Sequence, residues 1–326
     1  MLVQVLVGTL FAVLLLEVVV RIADPFDTLE FIVDDELLWR YRPNQIGRVA
    51  EYGVLKHAPL ATINGSGFRG RDLLADDRSP RVLFLGDSAT FGSGVGDAET
   101  YSALVQGMAR DCTLSVNAGT PGWGVFQYEA LLHRMARELL ARLVIVDLGA
   151  GQTTQRQPFA TDAEREAYLR PRRLLNAIRK YSHLALFVGR RLHRLSMMLT
   201  ERRVPTETGE PDRFYAHLEA NIQRLASMRD LVASQGGELA LVVWPRRSFP
   251  QNEAFVQAIR KWGSTTDVTI IDLTVPLSAL DEWQWRIPTD WHPNALGHRI
   301  AAHEIFEMII RRAPQTMLDC DRPMPS

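Results

Sequence analysis

Leu85-Gly86-Asp87-Ser88-Ala89-Thr90-Phe91-Gly92 closes the apolar run that begins at Val82, and how it is read decides the fold. A short β-rich run that stops at glycine and opens into helix-forming residues is the strand-to-helix turn of an α/β unit. A serine at such a turn has its hydroxyl at a helix N-terminus, where unpaired N–H groups favour a developing negative charge. That suits a nucleophile. A serine N-cap in a glycine turn explains the same tripeptide equally well, so the neighbouring sequence has to decide.

Moving outward, four more runs of the same kind follow: Leu114 to Asn117, Leu143 to Leu148, Leu239 to Trp244 and Val268 to Leu273. Each is separated from the next by helix-length amphipathic sequence. Five apolar strands alternating with helices predict a parallel sheet covered on both faces, a doubly wound α/β domain spanning about residues 80–315. Ligands of such sheets bind beyond the carboxyl ends of the strands. Two further segments at or near such ends carry chemistry. Val116-Asn117-Ala118-Gly119-Thr120-Pro121-Gly122-Trp123-Gly124 has glycines that can bring a backbone N–H up to an oxyanion. In Thr289-Asp290-Trp291-His292-Pro293-Asn294, residues two apart share a side, so the Asp290 carboxylate can orient His292 through Nδ1–H and leave Nε2 as a base. A salt-bridged loop is the plain alternative for that pair. His298, at the start of the last helix, is expected as a surface or capping residue. Trp283, Trp285 and Trp291 are expected to line a hydrophobic or sugar-binding wall or simply to pack.

Together these segments supply a nucleophile (Ser88), a base (His292), an orienting acid (Asp290) and oxyanion donors, the set that acyl transfer needs. Gly86-Asp87-Ser88, Asn117 to Gly122 and Asp290 to His298 resemble the blocks of the SGNH/GDSL hydrolases. The extended match Gly86 to Val95, the upstream Ile63-Asn64-Gly65-Ser66-Gly67-Phe68-Arg69-Gly70 and the apolar N-terminus are similar to a bacterial, membrane-anchored subgroup. The resemblance implies a flavodoxin-like fold with five parallel strands, with Ser88 as nucleophile, His292 as base, and the Ser88 and Gly122 N–H groups as oxyanion donors. It also implies removal or transfer of acyl groups on esters, lipids or glycans. Two departures stand out. The family's third block usually reads Gly-x-Asn-Asp, whereas this chain reads Gly149-Ala150-Gly151-Gln152. Loss of one oxyanion donor costs roughly 100- to 1,000-fold in turnover, and Gln152, which carries the same amide NH₂, is the natural substitute. The common Asp-x-x-His spacing is here Asp-x-His, an arrangement similar to that of the alginate O-acetylation branch.

The remaining sequence sets the context. Leu2 to Val20 is interrupted only by Gln4, Thr9 and Glu17, which predicts a membrane-length helix within residues 1–23. A cleavable secretory signal would carry a basic n-region, whereas no Lys or Arg precedes Arg21, so an uncleaved transmembrane anchor is expected, with a buried helix of the soluble fold as the alternative. Arg21 alone weakly favours a cytoplasmic domain by the positive-inside tendency, while the resemblance favours a periplasmic or extracellular one. Residues 24–79 are expected as a connecting segment packed on the core, and 316–326 as a tail. An insertion at 152–212 carries Leu175, Ile178, Tyr181, Ala185, Val188, Leu192, Leu195 and Leu199 at helical spacing from Arg172 to Arg203. This predicts one long basic amphipathic helix, either against anionic headgroups or with a solvated charged face.

Over 326 residues, 37 Lys plus Arg against 38 Asp plus Glu leave a formal charge of −1, which gives no argument for a nucleic-acid partner, and none is expected. Cys112 and Cys320 are far apart and are expected as unpaired thiols. No cofactor motif or metal-ligand cluster stands out. The expected activity is serine-dependent hydrolysis of an acyl ester. Transfer of the acyl group to a sugar hydroxyl, with a multi-spanning membrane acyltransferase as partner, is one alternative. A non-catalytic glycan-binding or assembly protein is the other.

Overall fold

The computed structural model describes residues 2–23, 29–48, 59–72, 80–110, 112–139, 141–149, 159, 161–185, 187–189, 192, 211–245, 252–288 and 292–312. Helix α1 (Leu2–Ala23) is followed by two antiparallel pairs, β1 (Phe31–Asp34) with β2 (Leu38–Tyr41) and β3 (Gln45–Arg48) with β4 (Leu60–Ile63). The α/β part then runs β5 (Arg81–Leu85), α2 (Ser88–Phe91), α3 (Tyr101–Met108), β6 (Leu114–Asn117), α4 (Val125–Leu139) and β7 (Leu143–Leu148). Helices α5 (Asp162–Tyr181) and α6 (Pro211–Ser234) precede β8 (Glu238–Val243), α7 (Asn252–Thr266) and β9 (Thr269–Asp272). The chain continues through α8 (Thr274–Ser278), α9 (Glu282–Trp285) and α10 (Ala295–Arg312).

Strands β5 to β9 form one parallel sheet in the order β6-β5-β7-β8-β9. This is a doubly wound sheet, as the five apolar runs predict, in the flavodoxin-like order that the family resemblance implies. The period of two in each strand sorts its side chains onto two covered faces. Leu83, Leu85, Val144, Val146, Leu241 and Val243 pack with Leu131, Leu225, Met228, Phe255 and Ile259 of α4, α6 and α7. Val82, Phe84, Ile145 and Val242 pack with Tyr101, Val105, Ala301 and Ile305 of α3 and α10. All six residues of β7 are buried, which accounts for its unbroken apolar character.

The two small antiparallel pairs lie over the carboxyl end of this sheet. Arg69 bridges to Asn117 at the end of β6, its N–H donating to the Asn117 carbonyl at 3.1 Å. Tyr41 stacks between Phe31 and Phe91, with ring centroids at 4.3 and 4.8 Å.

The structure revises two expectations. Cys112 is disulfide-bonded and therefore not an unpaired thiol, because separation along the chain does not report separation in the fold. Cys320, the other cysteine of the sequence, lies outside the described residues. The insertion is not one continuous helix either. Helix α5 begins at Asp162, capped by Thr161, and stops at Ser182, which takes extended geometry (φ −127°, ψ 112°). Helical residues resume at 183–185, 187–189 and 192.

Helix α1 is long and apolar enough to cross a membrane. Its Val3–Ile22 stretch has a mean hydropathy of 2.5, and 6% of the stretch is buried. A core helix of a soluble domain would be covered, and this one is not.

Candidate active site

Ser88 is the first residue of α2, directly beyond the carboxyl end of the inner strand β5, and is 5% exposed. The Asp87 carboxylate caps the turn by accepting from the Ala89 N–H at 2.9 Å. Gly92, with φ +84°, ends it after a single turn, and the Gly92 and Ser93 N–H groups both donate back to the Ser88 carbonyl. At Gly86 only hydrogen fits, since a Cβ would sit 1.8 Å from the Thr90 hydroxyl oxygen. The glycine before Asp87-Ser88 therefore serves the close approach of α2 to β5.

The loop after β6 packs behind this turn. The Asn117 side chain donates to the Thr90 carbonyl at 2.8 Å and accepts the Gly119 N–H, while the Thr120 N–H donates to the Gly86 carbonyl at 3.0 Å. The chain then reverses at Gly122, whose φ of +80° is a conformation that favours glycine. This reversal is clamped to β2 by a reciprocal pair. Trp39 Nε1 donates to the Pro121 carbonyl at 3.1 Å, and Trp123 Nε1 donates to the Trp39 carbonyl at 2.9 Å. The residues beside Gly122 are thus fixed by both the sheet and the N-terminal strands.

His292 is 6% exposed and stands in the segment between α9 and α10. Its carbonyl accepts from Ile287 N–H at 2.9 Å, and Asn294 ties the segment to the Gln284 and Arg286 carbonyls. Asn294 Oδ1 also accepts from the Leu296 and Gly297 N–H groups at the start of α10. The Ile287 side chain fills the space a Cβ on Gly94 would occupy, so the His292 segment is seated on the turn that follows α2. Ser88, Gly122 and His292 accordingly belong to one end of the sheet. Asp290, Trp291, Gly151 and Gln152 lie outside the described residues. Trp285 is a core residue stacked with Trp244, whereas Trp283 is 72% exposed. Among the described residues no group of three or more His, Cys, Asp or Glu is placed to hold a metal ion.

A sequence model of the GDSL-like lipase/acylhydrolase family matches residues 84–300, about two thirds of the chain, and takes in all three of these segments. The chain belongs to this family of ester-bond hydrolases. Solved structures similar to it include a member of the lipolytic G-D-S-L family from Veillonella parvula (14% identity over 72% of this chain and all of that one, TM-score 0.45). The psychrotrophic esterase EstA from a Pseudoalteromonas species (13%, 72% and 98%, TM-score 0.45) and a lipase/acylhydrolase from Enterococcus faecalis (14%, 76% and 100%, TM-score 0.44) are also similar. No curated protein matches the sequence. Membership stands on the sequence match.

Three buried residues at this end of the sheet were given no individual role in the sequence or were placed wrongly. Asp147, fully buried in β7, accepts at Oδ2 from Thr90 Oγ1 (2.9 Å), Trp244 Nε1 (3.1 Å) and Tyr101 OH (3.2 Å). Tyr101 OH also lies 2.7 Å from Thr90 Oγ1 as a donor. The one visible signal was an acid inside an otherwise apolar six-residue run. Burial first, and then the neighbouring Asp87 charge, raise the Asp147 carboxyl to about 7, against the three hydrogen bonds that lower it. His298 is not at the surface but wholly buried, with Nδ1 accepting from the Tyr101 N–H at 3.3 Å. Burial, followed by the Arg69 and His292 charges, lowers it to about 3, so it is neutral at ordinary pH. Arg69, also buried, donates to the Phe91, Gly92 and Val95 carbonyls at 2.6–2.7 Å and pairs with Asp97 at 2.8 Å.

The raised Asp147 value sets the sign of a pH effect. The folded protein holds this proton more tightly than the unfolded chain does. The resulting stabilisation is complete below about pH 4 and is lost as pH rises through about 7. Asp147→Asn keeps an acceptor for the same donors but cannot titrate. Denaturant melts at pH 4.5 and 7.5 should show the wild type losing on the order of 3 kcal/mol relative to the variant; parallel pH profiles for the two proteins would rule this out.

Proposed function

We propose that the protein cleaves acyl esters through a Ser88 acyl-enzyme, on an ester carried by a glycan or a lipid. The observation that carries this reading is the seating of Ser88 at the carboxyl end of an inner strand, in a capped one-turn helix. The Gly122 reversal and the His292 segment are packed around the same turn. In the proposed reaction Ser88 Oγ attacks the carbonyl carbon while its proton passes to His292 Nε2, the imidazole being oriented by Asp290 through Nδ1–H. The charge that forms on the carbonyl oxygen is held by the Ser88 and Gly122 N–H groups and by the Gln152 amide, which takes the place of the family's usual asparagine. Collapse breaks the ester C–O bond, and the leaving alkoxide takes the proton from His292. Water then attacks the acyl-enzyme with His292 as base, and the acid departs with Ser88 restored.

Rates on short-chain p-nitrophenyl esters test these roles. Ser88→Ala and His292→Ala are expected to fall to the buffer rate, and Gln152→Ala to lose roughly 100-fold in kcat with little change in KM. Full activity in Ser88→Ala would refute the mechanism, and an unchanged Gln152→Ala would remove the amide from it.

We further propose that α1 stays in the membrane and holds the hydrolase on its outer side. The disulfide at Cys112 supports this side, because disulfides persist in oxidising compartments and are rare in the cytosol. The single Arg21 that favours the opposite orientation is outweighed. Alkaline phosphatase fused after Ser326 should be active in cells, and a fluorescent cytoplasmic reporter at the same place with inactive phosphatase would reverse the topology.

A further inference from the structure

We infer that the helical insertion is a second membrane contact. It would lie in the interface beside α1, with an apolar stripe towards the acyl chains and its basic residues towards anionic phosphate headgroups. This rests on the proposal that α1 spans the membrane.

The first observation is where the insertion meets α1. The Glu17 carboxylate accepts from Ser182 Oγ (2.9 Å), His183 N–H (2.8 Å), Leu184 N–H (2.9 Å) and Arg21 Nε (2.8 Å). Arg21 also donates to the Tyr181 carbonyl at 3.2 Å. Glu17 thus caps the helical residues that restart after α5, and it does so three residues before Val20, the end of the apolar run. At a rise of about 1.5 Å per residue, that places the junction about 5 Å inside the end of the apolar segment. Interfacial helices bury their apolar faces at this depth, about 5–10 Å. A carboxylate there is costly unless paired, and this one has four donors.

The second observation is which face of the insertion is bare. Helix α5 is held to the protein through Leu169, which is buried, Asn176, which donates to the Phe31 carbonyl at 3.4 Å, Arg165, which donates to the Asp35 carbonyl at 3.4 Å, and Arg173, which pairs with the Asp35 carboxylate. Leu174 (63% exposed), Ile178 (46%) and Tyr181 (72%) follow each other at intervals of four and three, on the opposite side. Beyond the break at Ser182 the exposure continues at Val188 (45%) and Leu192 (61%). Leu174, Ile178 and Tyr181 thus form an exposed apolar stripe on α5, the kind of surface that marks an interaction site, and exposed apolar residues continue past the break.

The third observation is charge, which selects the occupant. From Arg170 to Thr200 the sequence carries eight Lys or Arg and no Asp or Glu, in a chain that is nearly neutral overall, and of the eight Arg173 is already paired with Asp35 and Glu166. The others leave an excess of positive charge that an anionic leaflet attracts. An apolar stripe within cationic sequence, joined to a membrane-length helix at interfacial depth, fits a lipid surface better than a protein one. The consequence for the proposed activity is geometric: the core is held by two elements, which fixes its orientation and presents the site to esters at or near the bilayer.

Full-length protein in nanodiscs of phosphatidylethanolamine and phosphatidylglycerol tests this, with one nitroxide side chain at a time introduced as Leu175→Cys, Ile178→Cys or Leu192→Cys. Leu10→Cys in α1 and Val275→Cys on the exposed surface of α8 serve as references. The insertion labels are expected to collide readily with dissolved oxygen and poorly with a water-soluble nickel chelate, as at Leu10, with the ratio inverted at Val275. Insertion labels that follow Val275 while Leu10 stays lipid-exposed would overturn the second contact and leave the anchor standing. A water-exposed Leu10 would overturn the anchor itself. Insertion labels shielded from both reagents would mean that a protein, a partner or a second copy, covers the stripe, which also overturns the proposal.

Discussion

A carboxylate with no access to water, Asp147, is the point through which the site is assembled. Its Oδ2 receives hydrogen bonds from the helix that carries Ser88 (Thr90), from α3 (Tyr101) and from the end of β8 (Trp244), and so ties four elements together at one end of the sheet. The same group explains why Gly86 must be glycine, since the Thr90 hydroxyl that binds Asp147 occupies the place of its Cβ. A buried acid held by neutral donors beside a second carboxylate, Asp87, takes up a proton more readily than an exposed one.

A second set of bonds closes the turn from above. The Arg69 guanidinium donates to the Phe91, Gly92 and Val95 carbonyls, in a buried place where the Gly92 carbonyl also accepts from the Val95 N–H. Together with the reciprocal tryptophan bonds between β2 and the Gly122 reversal, this makes residues 31–48 and 59–72 a wall over the carboxyl end of the sheet. Two short antiparallel pairs have too little core to be stable alone, and they gain order by covering the catalytic end of the sheet.

Much of the fold was legible because each central strand is covered on both faces, which forces the apolar runs at Val82, Leu114, Leu143, Leu239 and Val268 into view. The placement of Ser88, Gly122 and His292 at one end of the sheet was legible because it is carried by local turn grammar. What was hidden depends on distant partners. Asp147 looks like a fault in an apolar strand until Tyr101 and Trp244 are placed beside it. His298 reads as a helix-start residue until α10 is packed on α3. The break in the insertion at Ser182 is stabilised by Glu17, 165 positions away, and no helical periodicity can report that. Cys112 is paired for the same kind of reason.

The central claim is that this framework exists to hold Ser88 as an acyl-accepting nucleophile. Reaction of the full-length protein with a fluorophosphonate, followed by peptide mass spectrometry, tests it most directly. The account predicts a single phosphonyl adduct on Ser88, absent from Ser88→Ala. Protein that stays unmodified while a control serine hydrolase reacts, or an adduct on any other residue, would contradict it.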